Sequence, residues 1–326
     1  MKFAVLQFFS WPERRVPLGK VYERALERVQ IMDKTGYDAV WLAEHHFSTY
    51  SVCPSIHLMG MHIADTTENI RIGTGVTLAA FYHPLRLAEE VALLDNLSGG
   101  RINWGAGRGF DKTEMAAFGV EAEESRARFQ ENVDVVLGAW NNDRLTFHGE
   151  YNHFDNIEVL PKPVQNPMPT WIACSSLDAI TWSASQGHAI LMDPHSTHQE
   201  IAEKYRSYQN QLAEHGHNEV RDTPIARLLA IAETDEKAEA VARAGAQWTV
   251  GSYVNPKSGR GLMGGTSSED RIDRYVDEVI IHGSPSTVTD KLKELEETMP
   301  LDYLLASILS HETFMRLSNE VMPNMR

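Results

Sequence analysis

The chain has 326 residues, 42% of them hydrophobic and 23% charged, an ordinary globular composition with enough length for one large core or two domains. Against 45 Asp and Glu there are 30 Lys and Arg, a formal charge of −15, which argues against nonspecific nucleic-acid binding or adsorption to an anionic membrane but leaves room for a local anion site. Two distant cysteines, Cys53 and Cys174, exclude a disulfide framework and a cysteine zinc pattern, and they suit a reducing cytoplasm.

From the N-terminus the pattern alternates strand and helix. Residues 3–8 read as a buried strand, and the segment around them, with one Lys and no long apolar run, does not read as a signal peptide. No run approaches the length of a membrane span. A helix over 20–35 carries Val21, Ala25, Val29 and Met32 at helical spacing. The strand at 39–43 runs straight into Glu44-His45-His46-Phe47, and a strand at 70–77 contains Thr74-Gly75-Val76. The helix over 84–98 opens with Pro84 and stops at Gly99-Gly100. The strand at 101–106 leads into Gly105-Ala106-Gly107-Arg108-Gly109, and a helix over 122–140 follows, with Arg126 near its start. Residues 147–160 look like a small hairpin. A strand at 170–174, ending on Cys174, leads into Ser175-Ser176 and a helix over 178–186. Further strands are expected at 188–192, 225–231 and 302–306, with helices at 197–214, 235–246, 286–297 and 311–321. A Gly- and Ser-rich segment at 249–269 reads either as a mobile lid or as a passive loop.

Eight short apolar strands with crossover helices point to a (β/α)8 TIM barrel with insertions, in one domain over 1–326; a doubly wound open sheet is the runner-up. On a barrel, the residues after the second, fourth and fifth strands share the C-terminal face, where such folds place their chemistry. Histidine exchanges protons near neutral pH, so His45 and His46, with Glu44 as an orienting acid, are candidate catalytic groups; a strand cap with one core histidine is the equal alternative. The glycine run fails the dinucleotide fingerprint because its third glycine would fall on Phe110; it reads better as tight backbone beside a planar ligand, with Arg108 as an anion anchor, the alternative being glycines that make room for packing and an Arg108 paired with a local carboxylate. Ser175-Ser176 opens a helix, where free N–H groups favour phosphate, although ordinary capping explains it as well. Arg126 alone reads as a solvated or salt-bridged arginine, and the glycine of Thr74-Gly75-Val76 as a simple strand glycine. No metal-ligand spacing and no nucleophile elbow are present. Phe8, Phe9, Trp11, Phe81, Tyr82, Trp104 and Phe110 fall near strand ends and are either pocket lining or core.

Val40-Trp41-Leu42-Ala43-Glu44-His45-His46-Phe47 resembles the segment around the catalytic histidine of the bacterial luciferase α subunit. His83-Pro84-Leu85-Arg86, the stretch from Glu89 to Asp95, and Leu97-Ser98-Gly99-Gly100-Arg101 are similar to the third helix and fourth strand of the luciferase-like monooxygenases, and Glu320-Val321-Met322-Pro323 is similar to the chain end. The resemblance implies an FMN-dependent barrel. By it, His45 supports flavin-peroxide chemistry, and Arg108 and Arg126 hold the flavin phosphate. Cys174, Ser175 and Ser176 fall in the fifth-strand phosphate loop, and Thr74, Gly75 and Val76 underlie the isoalloxazine with a non-prolyl cis bond between Gly75 and Val76. Gly107 stands where the luciferase α subunit has a cysteine, Ser175 replaces an acid and Ala179 a hydroxyl residue, and the 249–269 loop is short; these departures count against light emission and a long-chain aldehyde.

The implied activity is an FMNH2-dependent monooxygenase that uses O2 through a flavin C4a-peroxide on a small organic substrate, either at a carbonyl or at another electrophilic or electron-rich centre. A separate NAD(P)H:flavin reductase supplies the FMNH2, and the family habit is a cytoplasmic homodimer. The alternatives are an F420-dependent oxidoreductase, a non-catalytic flavin-binding subunit, and a flavin-free barrel using His45 with Glu44.

Overall fold

The computed structural model describes residues 1–219, 222–252, 268–299 and 301–325. Eight parallel strands close a (β/α)8 barrel: Lys2–Gln7, Ala39–Leu42, Arg71–Thr74, Ile102–Gly107, Thr170–Cys174, Ala189–Met192, Ile225–Ile231 and Tyr303–Ile308. All are short, and Lys2–Gln7, Ala39–Leu42, Ile102–Gly107 and Ile225–Ile231 are buried along nearly their whole length, as strands covered on both faces must be. All eight stand where the apolar runs placed them. By contact, the chain divides into two compact units, one of Met1–Gln7, Thr35–Ala39 and Ile172–Arg326, the other of Phe8–Lys34 and Val40–Trp171.

In the unit of Phe8–Lys34 and Val40–Trp171, the interior is filled by Trp41, fully buried and edge-on to Trp171 at 5.3 Å. Two glycines make that possible. A Cβ on Gly73 would lie 2.2 Å from the Trp41 ring, and one on Gly105 would lie 2.1 Å from the Thr74 carbonyl oxygen. The strand expected over 70–77 is two pieces, Arg71–Thr74 and Thr77–Leu78, with a cis peptide at Gly75–Val76 between them. The hairpin is real: Leu145–His148 pairs antiparallel with His153–Ile157.

Two helices in this unit had no sequence expectation. Ile56–Thr66 follows Pro54 and is capped by Ser55, which accepts the Leu58 N–H at 3.3 Å; a glycine and two histidines interrupt its apolar stripe and hide the period. Lys112–Ala117 is a short helix capped by Asp111, which accepts the N–H groups of Thr113 and Glu114.

In the other unit, Lys2–Gln7 pairs with Tyr303–Ile308, which also pairs with Ile225–Ile231. An unexpected strand, Ile280–Gly283, adds to Ile225–Ile231 with Leu228 opposite Ile280; its four residues were too short an apolar run to separate from the helix before it. Helix Asp235–Ser252 runs six residues beyond the expected 246, and Ser268–Glu278 is a further helix. The expected 249–269 segment therefore overlaps both helices, and its residues 253–267 lie outside the described residues. No described helix is long and apolar enough to cross a membrane.

Candidate active site

The Ala39–Leu42 strand stops three residues before His45, and the two histidines that follow it enter different surroundings. His46 Nε2 lies 3.0 Å from Glu44 Oε1. Glu44 is only 2% exposed. Its carboxylate also accepts the Tyr82 hydroxyl at 2.7 Å and the Leu78 backbone N–H at 3.0 Å. One buried acid thus ties the histidine segment to the stretch just after the cis bond. Three donors offset the cost of burying its charge. Burial, reinforced by the Glu44 charge, pushes the Tyr82 phenol well above its usual range, so it stays a donor. Glu44, expected as an orienting acid, holds His46 rather than His45.

His45 sits in an aromatic frame with a carboxylate beside it. Phe8 stacks against it at 6.1 Å and 18°, while Tyr50 and Phe110 present edges at 5.1 and 6.4 Å. Its Nδ1 lies 3.5 Å from Glu114 Oε1, and its side chain keeps 13% exposure. Glu114 was not foreseen. The signal was present as Asp111 followed three residues later by Glu114, the mark of a helix start directly after the glycine run. Of the aromatics near strand ends, Phe8 and Phe110 face His45, while Phe9 and Trp104 are core.

Thr74 is buried, and its hydroxyl both donates to the Gly105 carbonyl at 2.7 Å and accepts the Gly105 N–H at 2.8 Å. The Gly75 N–H donates to the Leu42 carbonyl at 2.7 Å, so the Thr74-Gly75-Val76 turn is pinned to the strand that carries the histidines. Gly107 closes the Ile102–Gly107 strand, and the half-buried Arg108 follows it.

Arg108 Nη1 donates to Ser125 Oγ at 3.4 Å, at the start of helix Ser125–Asn141. Arg126 is exposed on the first turn of the same helix, and the N-cap residue makes no side-chain cap bond. Two guanidiniums thus lie at a helix N-terminus, whose backbone N–H groups also favour an anion. This donor set suits a phosphate.

In the other unit, Ser175 is exposed and Ser176 caps helix Leu177–Ser185 through the Ala179 N–H at 3.3 Å. Cys174 is buried, with Sγ 3.3 Å from Ser183 Oγ, and burial pushes its thiol up to about 12. Burial together with the Glu44 charge likewise pushes Cys53 up to about 12, so neither cysteine is suited to act as a nucleophile.

A family model described as luciferase-like monooxygenase matches residues 1–301. The oxygenase component of a flavin-dependent trigonelline monooxygenase from Acinetobacter baylyi is 28% identical over 228 residues, 68% of this chain and 63% of that protein. The chain spans 56–63% of the length of the first curated relatives it matches. Among solved structures, monooxygenase RslO1 from Streptomyces bottropensis superposes with a TM-score of 0.87 at 23% identity, covering 100% of both chains. The oxygenating constituent of 3,6-diketocamphane monooxygenase from Pseudomonas putida, in complex with FMN, gives 0.83 at 19% identity over 99% of this chain and 98% of that one. An F420-dependent secondary alcohol dehydrogenase gives 0.79 at 18% identity over 100% and 99%. At these identities the structures speak to the fold alone.

Proposed function

Since the chain belongs to the luciferase-like monooxygenase family, we propose that it is the oxygenase component of a two-component flavin system. It takes FMNH2 from a separate NAD(P)H:flavin reductase and uses O2 to oxygenate a small organic carbonyl compound. The observation that carries the reading is His45 in its aromatic frame, partly exposed, with a buried carboxylate at Nδ1. The trigonelline relative, described as a flavin-dependent oxygenase component, supports the cofactor class and the need for a reductase.

Reduced FMN, when bound, supplies the electrons that activate O2. The protein supplies the rest. Arg108 and Arg126 would hold the phosphate by charge-assisted bonds; in the other unit, Cys174, Ser175 and Ser176 form a second candidate phosphate loop at the start of helix Leu177–Ser185. Thr74, Gly75, Val76 and Gly107 form the backbone bed for the ring, with no bulky side chain at either glycine. His45 gives and takes a proton at Nε2, because Nδ1 is turned to Glu114. Phe8, Tyr50 and Phe110 keep the neighbourhood apolar, which limits loss of the activated oxygen to water. Glu44 is a positioning residue that fixes His46 and the Leu78 segment. A homodimer fits the exposed Leu58, Leu93 and Leu97 on helices Ile56–Thr66 and Pro84–Leu97.

The test is an anaerobic titration with FMNH2 followed by rapid mixing with O2 and recording of flavin absorbance. Tight binding and a delayed return of oxidised flavin support the reading. Binding of F420H2 in place of FMNH2, or of neither, overturns it.

A further inference from the structure

We propose that Glu114 is the positioning residue for His45, holding the neutral imidazole in the tautomer protonated at Nδ1; the inference rests on the reading of His45 given above. Glu114 is 2% exposed, on a helix too short to owe its place to a long apolar stripe. Its Oε1 accepts the His46 backbone N–H at 2.8 Å, which fixes the carboxylate against the segment that carries both histidines. The same oxygen lies 3.5 Å from His45 Nδ1, beyond an ordinary hydrogen bond but within ion-pair range. Oε2 is buried with no hydrogen-bond partner among the described residues. A buried carboxylate oxygen left this way costs stability, so its position calls for a reason beyond packing.

Helix capping does not supply that reason. At the third helical position, an acid ordinarily turns back to the N-cap N–H. Here Asp111 caps through the Thr113 and Glu114 N–H groups, while the Glu114 side chain turns to the histidines. Nor can the acid nearest in sequence serve His45, since Glu44 is committed to Leu78, Tyr82 and His46. The result is two crossed pairs, Glu44 with His46 and Glu114 with His45. An acid at Nδ1 sets which ring nitrogen carries the proton and leaves Nε2 to act as the base. Catalytic hydrogen bonds that are long in the ligand-free protein commonly tighten in the complex.

The test uses the full chain labelled with 15N-histidine, free of flavin, with the His45 ring signals assigned by their loss in His45→Ala. The parent should show the neutral ring protonated mainly at Nδ1. Glu114→Ala should shift it toward the Nε2–H form and lower kcat about a hundredfold, the scale of a misplaced catalytic group, with KM and FMNH2 affinity near parental. Glu114→Gln keeps an oxygen for the His46 N–H and should give an intermediate tautomer ratio and an intermediate kcat; it stands in if Glu114→Ala does not fold. An unchanged His45 tautomer in the folded variants, or a loss confined to KM, overturns the proposal. The NMR arm needs neither flavin nor substrate, so failure of the monooxygenase reading would show in turnover and leave the tautomer result standing.

Discussion

Two strand ends carry an acid and a histidine within three residues, and they use them in opposite ways. After Ala39–Leu42 comes Glu44-His45-His46; after Ala189–Met192 comes Asp193-Pro194-His195-Ser196. Asp193 is satisfied largely by its own loop, accepting the His195 and Ser196 N–H groups at 2.9 Å each and the Ser196 hydroxyl, with Lys204 Nζ at 3.4 Å. His195 is 2% exposed and bonded to the Tyr275 hydroxyl. Arg227 beneath it is fully buried and donates to the Asp193 and Ser196 carbonyls, and burial lowers it to about 10. At the Glu44 end the Leu78 and Tyr82 donors come from remote segments and join the local His46, and His45 keeps 13% exposure with a carboxylate edge. Residue type and topological position are alike. What differs is exposure: His195 is closed in, whereas His45 keeps an open edge.

That contrast predicts which changes damage ligand binding and which damage stability. The largest effect should come from Arg108→Ala combined with Arg126→Ala. Loss of two charge-assisted contacts at about 1.5 kcal/mol each should weaken FMNH2 roughly a hundredfold, while the urea midpoint hardly moves. Asp193→Ala should do the reverse. Stranding Lys204 and the loop N–H groups should cost about 3 kcal/mol in urea unfolding, with near-parental FMNH2 affinity in the folded fraction. If the arginine pair proved structural, or Asp193 essential for binding, the contrast would fail.

Tyr82→Phe removes one of three donors to Glu44 and should cost about 1 kcal/mol, measured by the same unfolding experiment. The smallest effect concerns acid. Glu90, drawn down to about 2 by its contact with His57 and by Arg86, has a folded value below its usual 4.5. Its contribution is therefore complete above pH 4.5 and is lost as pH falls toward 2. Glu90→Gln should flatten the stability–pH curve only in that window.

The eight barrel strands were legible because apolar runs bounded by Gly, Pro and polar residues are what burial on both faces demands. The ends of elements were less so. Helix Ile56–Thr66 was hidden by Gly60, whose Cβ would come within 3.2 Å of Leu94, so close helix packing took the place of a clean apolar stripe. The cis bond at Gly75–Val76 came from resemblance, since nothing in local propensity marks it. His45, Glu44 and Arg108 stood out as unusual residues at strand ends. Glu114 did not, because its position reads as an ordinary helix start and only the fold reveals that its side chain turns elsewhere. Glu44 was visible as an acid beside histidines, but its partner could not be read, since Leu78 and Tyr82 lie more than thirty residues away.

On the proposed function, His45 carries the chemistry and His195, in a matching place after its own strand, does not. The most direct measurement compares His45→Ala and His195→Ala for FMNH2 affinity and for turnover per folded molecule with a flavin reductase present. Loss of a general acid–base should lower turnover of His45→Ala about a hundredfold or more with FMNH2 affinity near parental, and His195→Ala should lose stability while keeping its turnover. Full turnover in His45→Ala, or a selective turnover loss in His195→Ala, would rule out His45 as the acid–base group.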